Sequence, residues 1–325
     1  MILPTYNRAG SLPRAIDSVV TQTLDDWELI VVDDASDDDV ASVLAGYRDP
    51  RMRYVRRAVN GGVAAAQNTG IDHARGRFVA FLHSDDEFLP AKLECQVGLL
   101  SRAPASVGAA ESGLDVVWGD RQIQHWSPGL DGADARDVLA YRARVHISGL
   151  LVRREVAVRL RFDEHLRGAE DRDFCIRLVE TTRLAFVTQS LSRVYKTGPR
   201  LGRQNKGPIY AYLLEKYGDV IASDRRMHAD WHYRIARAFA RADQMPDARR
   251  SMRRSVALDP TRARRWMLWV ASFGGEAVCR AAFRAQVSAA DPARRARPRR
   301  NGERPGMNPG RSLPSPPQTG RSAPT

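Results

Sequence analysis

The sequence predicts an α/β fold: a parallel sheet with helices on both faces, followed by a helical region. Apolar strand-like runs alternate with helical segments from residue 1 to about residue 100. The runs at 27–32 and 78–82 are short and continuously apolar, as strands covered on both faces should be. Each run ends in a polar or glycine-rich cluster, namely Pro4-Thr5, Asp33-Asp34, Asn60-Gly61-Gly62 and Asp85-Asp86. In such a fold those clusters share the carboxyl edge of the sheet, where ligands bind.

In chain order, Ile2 and Leu3 read as the end of a strand with almost nothing before it; either the strand is stunted or the true start lies upstream. Ser11-Leu12-Pro13 opens a helix, with serine as cap and proline in the first turn. Its apolar face is Leu12, Ala15, Ile16, Val19 and Val20, spaced by three and four. The strand at 27–32 runs into Asp33-Asp34, and Asp37 to Asp39 suit the acidic first turn of a following helix. The strand at 52–57 leads to Asn60-Gly61-Gly62, where glycine permits a tight turn and close backbone approach to a ligand. A helix at 63–74 and the strand at 78–82 complete the set. Asp85 and Asp86 then suit a hard divalent cation that fills its other positions with water and phosphate oxygens; a polar turn before the next helix is the alternative.

Composition bounds the function. The chain of 325 residues holds one large domain plus an appendage, and 43% hydrophobic content is ordinary. No run approaches the ~18 apolar residues of a membrane span, and no signal peptide is apparent. Cys95, Cys175 and Cys279 are scattered, which points to a reducing, cytoplasmic setting and away from a disulfide framework or zinc site. The net charge is +13, but from Arg294 onward eight arginines face the single acid Glu303. More than half of the charge therefore sits in a Pro/Arg-rich tail, expected to be disordered and a candidate for contact with anionic lipid at the inner face of a membrane. No specific nucleic-acid partner is expected. GxGxxG is absent after the first strand and GxxxxGK[ST] is absent throughout, against a nicotinamide enzyme and a P-loop ATPase.

Four motifs in register carry a resemblance: Pro4-Thr5-Tyr6-Asn7; Val31-Val32-Asp33-Asp34-Ala35-Ser36; Asn60-Gly61-Gly62 with Asn68-Thr69-Gly70-Ile71; and Ser84-Asp85-Asp86. In order and spacing they resemble family-2 glycosyltransferases of the GT-A fold. The resemblance implies a Rossmann-like mixed, mostly parallel sheet and a nucleoside-diphosphate sugar donor. It implies donor contacts at Pro4, Thr5, Tyr6, Asn7, Asp33, Asp34, Asn60, Gly61, Asn68 and Asp85, with Mg or Mn at Asp85 and Asp86. Two departures stand out: His83 and Gln67 occupy positions where many members carry Asp and Arg. His83 could ligate the metal as a neutral imidazole or hydrogen-bond the backbone; the second reading is favoured.

Further on, 114–120, 145–152 and 184–187 read as strands. Trp118, Asp120 and His146 are candidate acceptor contacts, although a core tryptophan is an equal reading of Trp118. Glu170-Asp171-Arg172-Asp173 opens a helix; the resemblance makes Asp171 the catalytic base, with Glu170 beside it, and Lys196 a diphosphate contact. An inverting transfer needs such a carboxylate opposite the leaving diphosphate. A plain acidic helix start is the alternative.

The expected organisation is a glycosyltransferase domain at 1–204, divided into a donor half (1–100) and an acceptor and base half (101–204). A helical region follows at 205–288, with one tetratricopeptide-like hairpin, and then the tail at 289–325. His228 and His232 read as a surface pair. The expected function is metal-dependent inverting sugar transfer to a carbohydrate, lipid-linked or protein acceptor in surface polysaccharide, glycolipid or glycoprotein assembly. The alternative is a degenerate nucleotide-sugar-binding scaffold acting through the helical region; a nucleotidyltransferase is a weaker third.

Overall fold

The structure, a computed structural model, describes residues 1–118, 122–144, 146–196, 206–274, 277–278 and 281–282. The tail and Asp120 lie outside the described residues. The described residues belong to one compact unit, Met1–Ala282.

Strands β1 (Ile2–Thr5), β2 (Leu29–Asp33) and β3 (Met52–Arg56) pair in parallel, with Pro4 opposite Val32 and Asp33 opposite Arg56. A parallel bridge from Ile2 to Phe81 continues the order to β4 (Phe78–Ala80). Successive residues of these strands enter opposite cores, as the pleat requires. Ile2, Ile30, Val32 and Phe81 join one buried cluster; Leu3, Leu29, Val31 and Leu82 join the other. The first cluster includes Ala64 and Ile71 of α3 (Val63–His73), the second Leu12 and Ile16 of α1 (Leu12–Val20) and Val40 of α2 (Val40–Ala45). Helices thus cover both faces.

Two local expectations need correction. Val20 is exposed and lies off the buried face of α1, and Ser11 precedes α1 without a side-chain capping bond, its hydroxyl donating to the Arg8 carbonyl instead. Asp39 caps α2 by accepting from Ser42 N at 3.0 Å, whereas Asp38 accepts from Ala9 N at 2.7 Å. One member of the acidic run therefore serves the helix and another ties down the loop after β1.

Pairing changes after β4. β5 (Glu87–Phe88) and α4 (Lys92–Arg102) lead into β6 (Val107–Trp118) and β7 (Gln122–Trp126). α5 (Ala135–Leu139) precedes a 3-10 turn (Ile147–Gly149) and β8 (Leu150–Arg153). α6 (Arg154–Leu160) and α7 (Glu170–Thr181) are followed by β9 (Arg183–Tyr195). The order is β4-β8-β6-β9-β5, with β7 on β6. Only β6 and β9 pair in parallel here; the other ladders are antiparallel. Parallel pairing thus holds in the first half of the sheet and gives way to antiparallel in the second. The 145–152 run is part 3-10 turn, part strand, and the strand expected at 184–187 extends through Tyr195.

α8 (Gly207–Lys216), α9 (Gly218–Ala222), α10 (Arg225–Arg241), α11 (Met245–Leu258) and α12 (Ala263–Ala271) follow. α10 and α11 form a hairpin, pinned where Ser255 Oγ donates to the Ala229 carbonyl at 2.7 Å. The fully buried Arg265 pairs with Asp230 at 2.6 Å and Asp259 at 2.5 Å, tying α12 to that hairpin. His232 is buried, with its pKa lowered to about 4 by burial, so the surface-pair reading fails for it. No described helix is long and apolar enough to cross a membrane.

Candidate active site

The donor-side candidates are held by bonds to backbone, to neighbouring side chains and to one another. Asp34 accepts from Gly61 N at 3.0 Å and Gly62 N at 2.7 Å, and pairs with Arg57. Its carboxylate therefore shapes the Asn60-Gly61-Gly62 turn, in which Gly62 adopts φ 87°, a conformation glycine takes without Cβ strain. Asn60 donates to the Asp34 carbonyl from the other side of the turn. Burial pushes the Asp33 carboxyl up, but bonds from Ser36 and Tyr54 and the Arg56 charge outweigh it and hold Asp33 below its usual value. Asn7 donates its N–H to Ser36 Oγ at 3.0 Å and accepts from Asp37 N at 2.7 Å. Together these bonds lock the β1 and β2 ends into one rim beside Pro4 and Tyr6. Thr5 Oγ1 is buried there without a partner, and so are both amide atoms of the fully buried Gln67. Asn68 uses its amide on the 162–164 loop, donating to the Phe162 carbonyl at 3.0 Å and accepting from Phe162 N at 2.8 Å.

The acidic pair after β4 divides. Asp85 pairs with Arg8 at 3.0 Å, and its carbonyl accepts from Arg14. Asp86 turns inward, accepting from Ser148 Oγ at 2.9 Å and Tyr195 N at 3.2 Å. Around it stand His83, with Nδ1 at 3.7 Å from Asp86 Oδ2, and His146, with Nε2 at 3.9 Å. One donor atom from each of His83, Asp86 and His146 lies within 4.8 Å of the others. His83 thus lies among side chains, without the backbone bond favoured for it. His146, carried into place by the 3-10 turn rather than by a strand, stands with this donor set.

Burial raises the Asp86 pKa to about 6, opposed by the His83 charge, and lowers that of His146 well below its ordinary value. A neutral imidazole is the form that ligates. Two imidazoles and a carboxylate fit a divalent transition ion better than magnesium, which favours oxygen. The donor chemistry therefore accommodates a divalent cation.

α7 faces this cluster with its first turn. Asp171 Oδ2 lies 3.9 Å from His83 Nε2, and its Oδ1 is buried with no hydrogen-bond partner. Burial pushes Asp171 above the usual carboxylate range, against the pull of His83. Glu170, also raised by burial and by Asp171, accepts from Gly168 N at 2.5 Å. Asp173 instead binds Arg177, Tyr217 and Lys216, anchoring α7 to the following helices. Lys196, at the end of β9, exerts its charge on Asp86, Asp171 and His146. Trp118 is 40% exposed at the end of β6, so the core reading of this residue fails.

Residues 1–160 match the family model described as Glycosyl transferase family 2. Residues 1–160 are a glycosyl transferase family 2 segment. The chain is similar to the UDP-Glc:alpha-D-GlcNAc-diphosphoundecaprenol beta-1,3-glucosyltransferase WfgD of Escherichia coli, with 38% identity over 100 residues, covering 31% of this chain and 40% of that protein. Among solved structures it resembles S. aureus TarS 1-349 in complex with UDP-GlcNAc, with TM-score 0.64, 16% identity and coverage of 89% of this chain and 91% of that one. The mannosyltransferase PcManGT from Pyrobaculum calidifontis, in complex with GDP-Man and Mn2+, superposes with TM-score 0.51 and 20% identity over 89% of this chain and 87% of that one. The fold is therefore GT-A. The chain spans less than half the length of the E. coli relative.

The approach of His146 to His83 and Asp86 was not readable from sequence. His146 stands far from His83 in the chain, and no spacing rule links them; only the sheet order, with β8 beside β4, brings them together.

Proposed function

We propose that the chain transfers a sugar, with inversion, from a nucleoside-diphosphate sugar to a hydroxyl acceptor, using a divalent cation. The observation that carries this reading is Asp171: a half-buried carboxylate with one buried, unpartnered oxygen, facing the His83–Asp86–His146 cluster at the carboxyl edge of the sheet. A base needs an available oxygen and a raised pKa, and Asp171 has both.

The residues of 1–100 form the donor half. The rim at Pro4, Thr5, Tyr6 and Asn7 and the turn shaped by Asp33, Asp34, Asn60 and Gly61 hold the nucleoside, with Asn68 keeping α3 in place behind them. His83, Asp86 and His146 would hold the cation, with Asp85 beside Asp86 in the chain; when bound, it would offset the charge that develops on the departing diphosphate. Lys196 adds positive charge on the same side. In the 101–204 half, Asp171 takes the proton of the acceptor hydroxyl as that oxygen attacks the anomeric carbon, and the nucleoside diphosphate leaves from the opposite face. The Asp86 charge adds to the basicity of Asp171, and Asp171 in turn raises Glu170. Trp118 offers an exposed ring for the acceptor sugar. The 205–288 helices brace the base through the Asp173 contacts with Tyr217 and Lys216.

The E. coli relative acts on a sugar linked through a diphosphate to a lipid, which supports surface-polysaccharide or glycolipid assembly as the setting. The test is a panel of UDP-, GDP- and dTDP-sugars with manganese, read as nucleoside-diphosphate release in the presence of lipid-linked and soluble acceptors. Release with one donor, abolished in Asp171→Asn, is the expected result. A folded, nucleotide-binding protein with no turnover on any acceptor would support the scaffold reading instead.

A further inference from the structure

Beside the base lies a pair of cations for which the transfer reaction has no use so far. Arg172 follows Asp171 in the first turn of α7, and its guanidinium carbon sits 3.6 Å from the centre of the Tyr141 ring. Arg234 of α10 lies over the same ring at 3.4 Å. Tyr141 also packs edge-on against Trp231, at 5.9 Å between ring centres. Two positive groups thus flank one tyrosine, and the Arg234 charge disfavours that of Arg172.

Neither guanidinium has a carboxylate partner among the described residues. Arg172 donates one hydrogen bond, to the Val138 carbonyl at 2.5 Å. Arg234 makes ring contacts only, to Tyr141 and, at 6.0 Å, to Trp231. Burial disfavours the Arg172 charge, and the groups that favour it are Tyr141, Cys175 and Tyr210 rather than an ordinary acid. Arg57 pairs with Asp34, Arg177 with Asp173, and the fully buried Arg265 with Asp230 and Asp259, whereas Arg14 and Arg153 bond carbonyls alone. Charges withdrawn from water call for an opposite charge. Tyr141 itself is held at φ 60°, a region that bulky residues rarely adopt.

We propose that Arg172 and Arg234, spaced by Tyr141, form a binding site for a phosphate group carried by the acceptor. Guanidinium donors match phosphate oxygens in geometry and charge. The Arg172 charge acts on Asp171, so a phosphate held at Arg172 would lie within electrostatic reach of the base. The acceptor class is then a phosphate ester, either lipid-linked or a polyol phosphate. This inference rests on the reading of Asp171 as base.

The test is calorimetric titration of the full chain, already saturated with UDP, with three probes: farnesyl phosphate, glycerol 3-phosphate and inorganic phosphate. One ester should bind more tightly than inorganic phosphate, and which one does so names the source. Arg172→Gln and Arg234→Gln should each weaken that ester about tenfold or more, one charged contact's worth, while UDP affinity holds. Arg234→Lys keeps the charge but not the planar fork, and should fall between wild type and Arg234→Gln; its melting curve checks folding. Ester binding no tighter than inorganic phosphate, or unchanged in all three variants, overturns the inference. Failure to bind any of UDP, GDP and dTDP would instead count against the transferase reading.

Discussion

His83 Nε2 stands 3.9 Å from Asp171 Oδ2, and that approach joins the loop after β4 to the first turn of α7. It places the candidate base against the cation donors. Asp171→Asn keeps the shape and removes the base. Product formation should fall by roughly 10²–10⁴-fold, the usual contribution of a positioned base, with UDP affinity unchanged. Turnover at the wild-type rate would remove Asp171 from this role.

The cation cluster makes a separate prediction, read without turnover. Manganese bound to the protein loses its free-ion magnetic resonance signal, so affinity can be titrated directly. His146→Ala should weaken manganese binding by at least the roughly 10–100-fold that follows loss of even an outer-shell partner. Asp86→Ala should weaken it as well. Equal affinity in wild type and His146→Ala would exclude this imidazole as a ligand.

Packing beneath the donor half is testable through two glycines. A Cβ on Gly70 would meet Ile2 Cγ2 at 2.3 Å, in the middle of a strand-to-helix contact. Gly70→Ala should cost about 1–3 kcal/mol in urea denaturation, as overpacking usually does. Gly98 in α4 has nothing within 4 Å of a built Cβ, so Gly98→Ala should stabilise by about 0.5–1 kcal/mol through helix propensity. The same sign for both would refute the account of α3 against β1.

Lys92 and Glu111 are buried beside the sheet, and each influences the other's charge. Burial lowers the Lys92 pKa to about 7 and raises that of Glu111 to about 7. From about pH 7 to 10.5 the unfolded chain binds more protons at Lys92 than the folded one, so this lysine's contribution to stability rises with pH there. Between about pH 4.5 and 7 the folded chain holds the extra proton at Glu111, and that contribution falls as pH rises. Wild type should therefore gain stability relative to Lys92→Met as pH climbs from 7 to 10, measured by thermal melting. A pH-independent difference would contradict the buried, readily deprotonated lysine.

Where local pattern sufficed, the sequence was informative. The alternation through residue 100 foretold β1 to β4 with their helices, because buried strands and amphipathic helices each leave a period in the chain. Val20 misled because an apolar residue at the right spacing can still fall outside the covered arc. The second half was less legible: β6 and β9 are long, paired in parallel and interrupted by register shifts, and no local signal encodes such pairing. At the site, Asp86 and Asp171 could be picked out as acids at element ends. The inward turn of Asp86, the hold of Asp34 on Gly61 and Gly62, and the approach of Arg172 and Arg234 to Tyr141 depend on segments distant in sequence. They follow from sheet order and helix packing, which spacing does not carry.

The most direct test of the central claim is calorimetric titration of UDP, GDP and dTDP into the full chain, with and without manganese, on wild type and on an Asp85→Ala/Asp86→Ala variant. The account predicts that one nucleotide binds, that manganese tightens it, and that the variant loses the manganese effect while remaining folded. Absence of binding by all three in folded wild-type protein, or a manganese effect that survives in the variant, would contradict it.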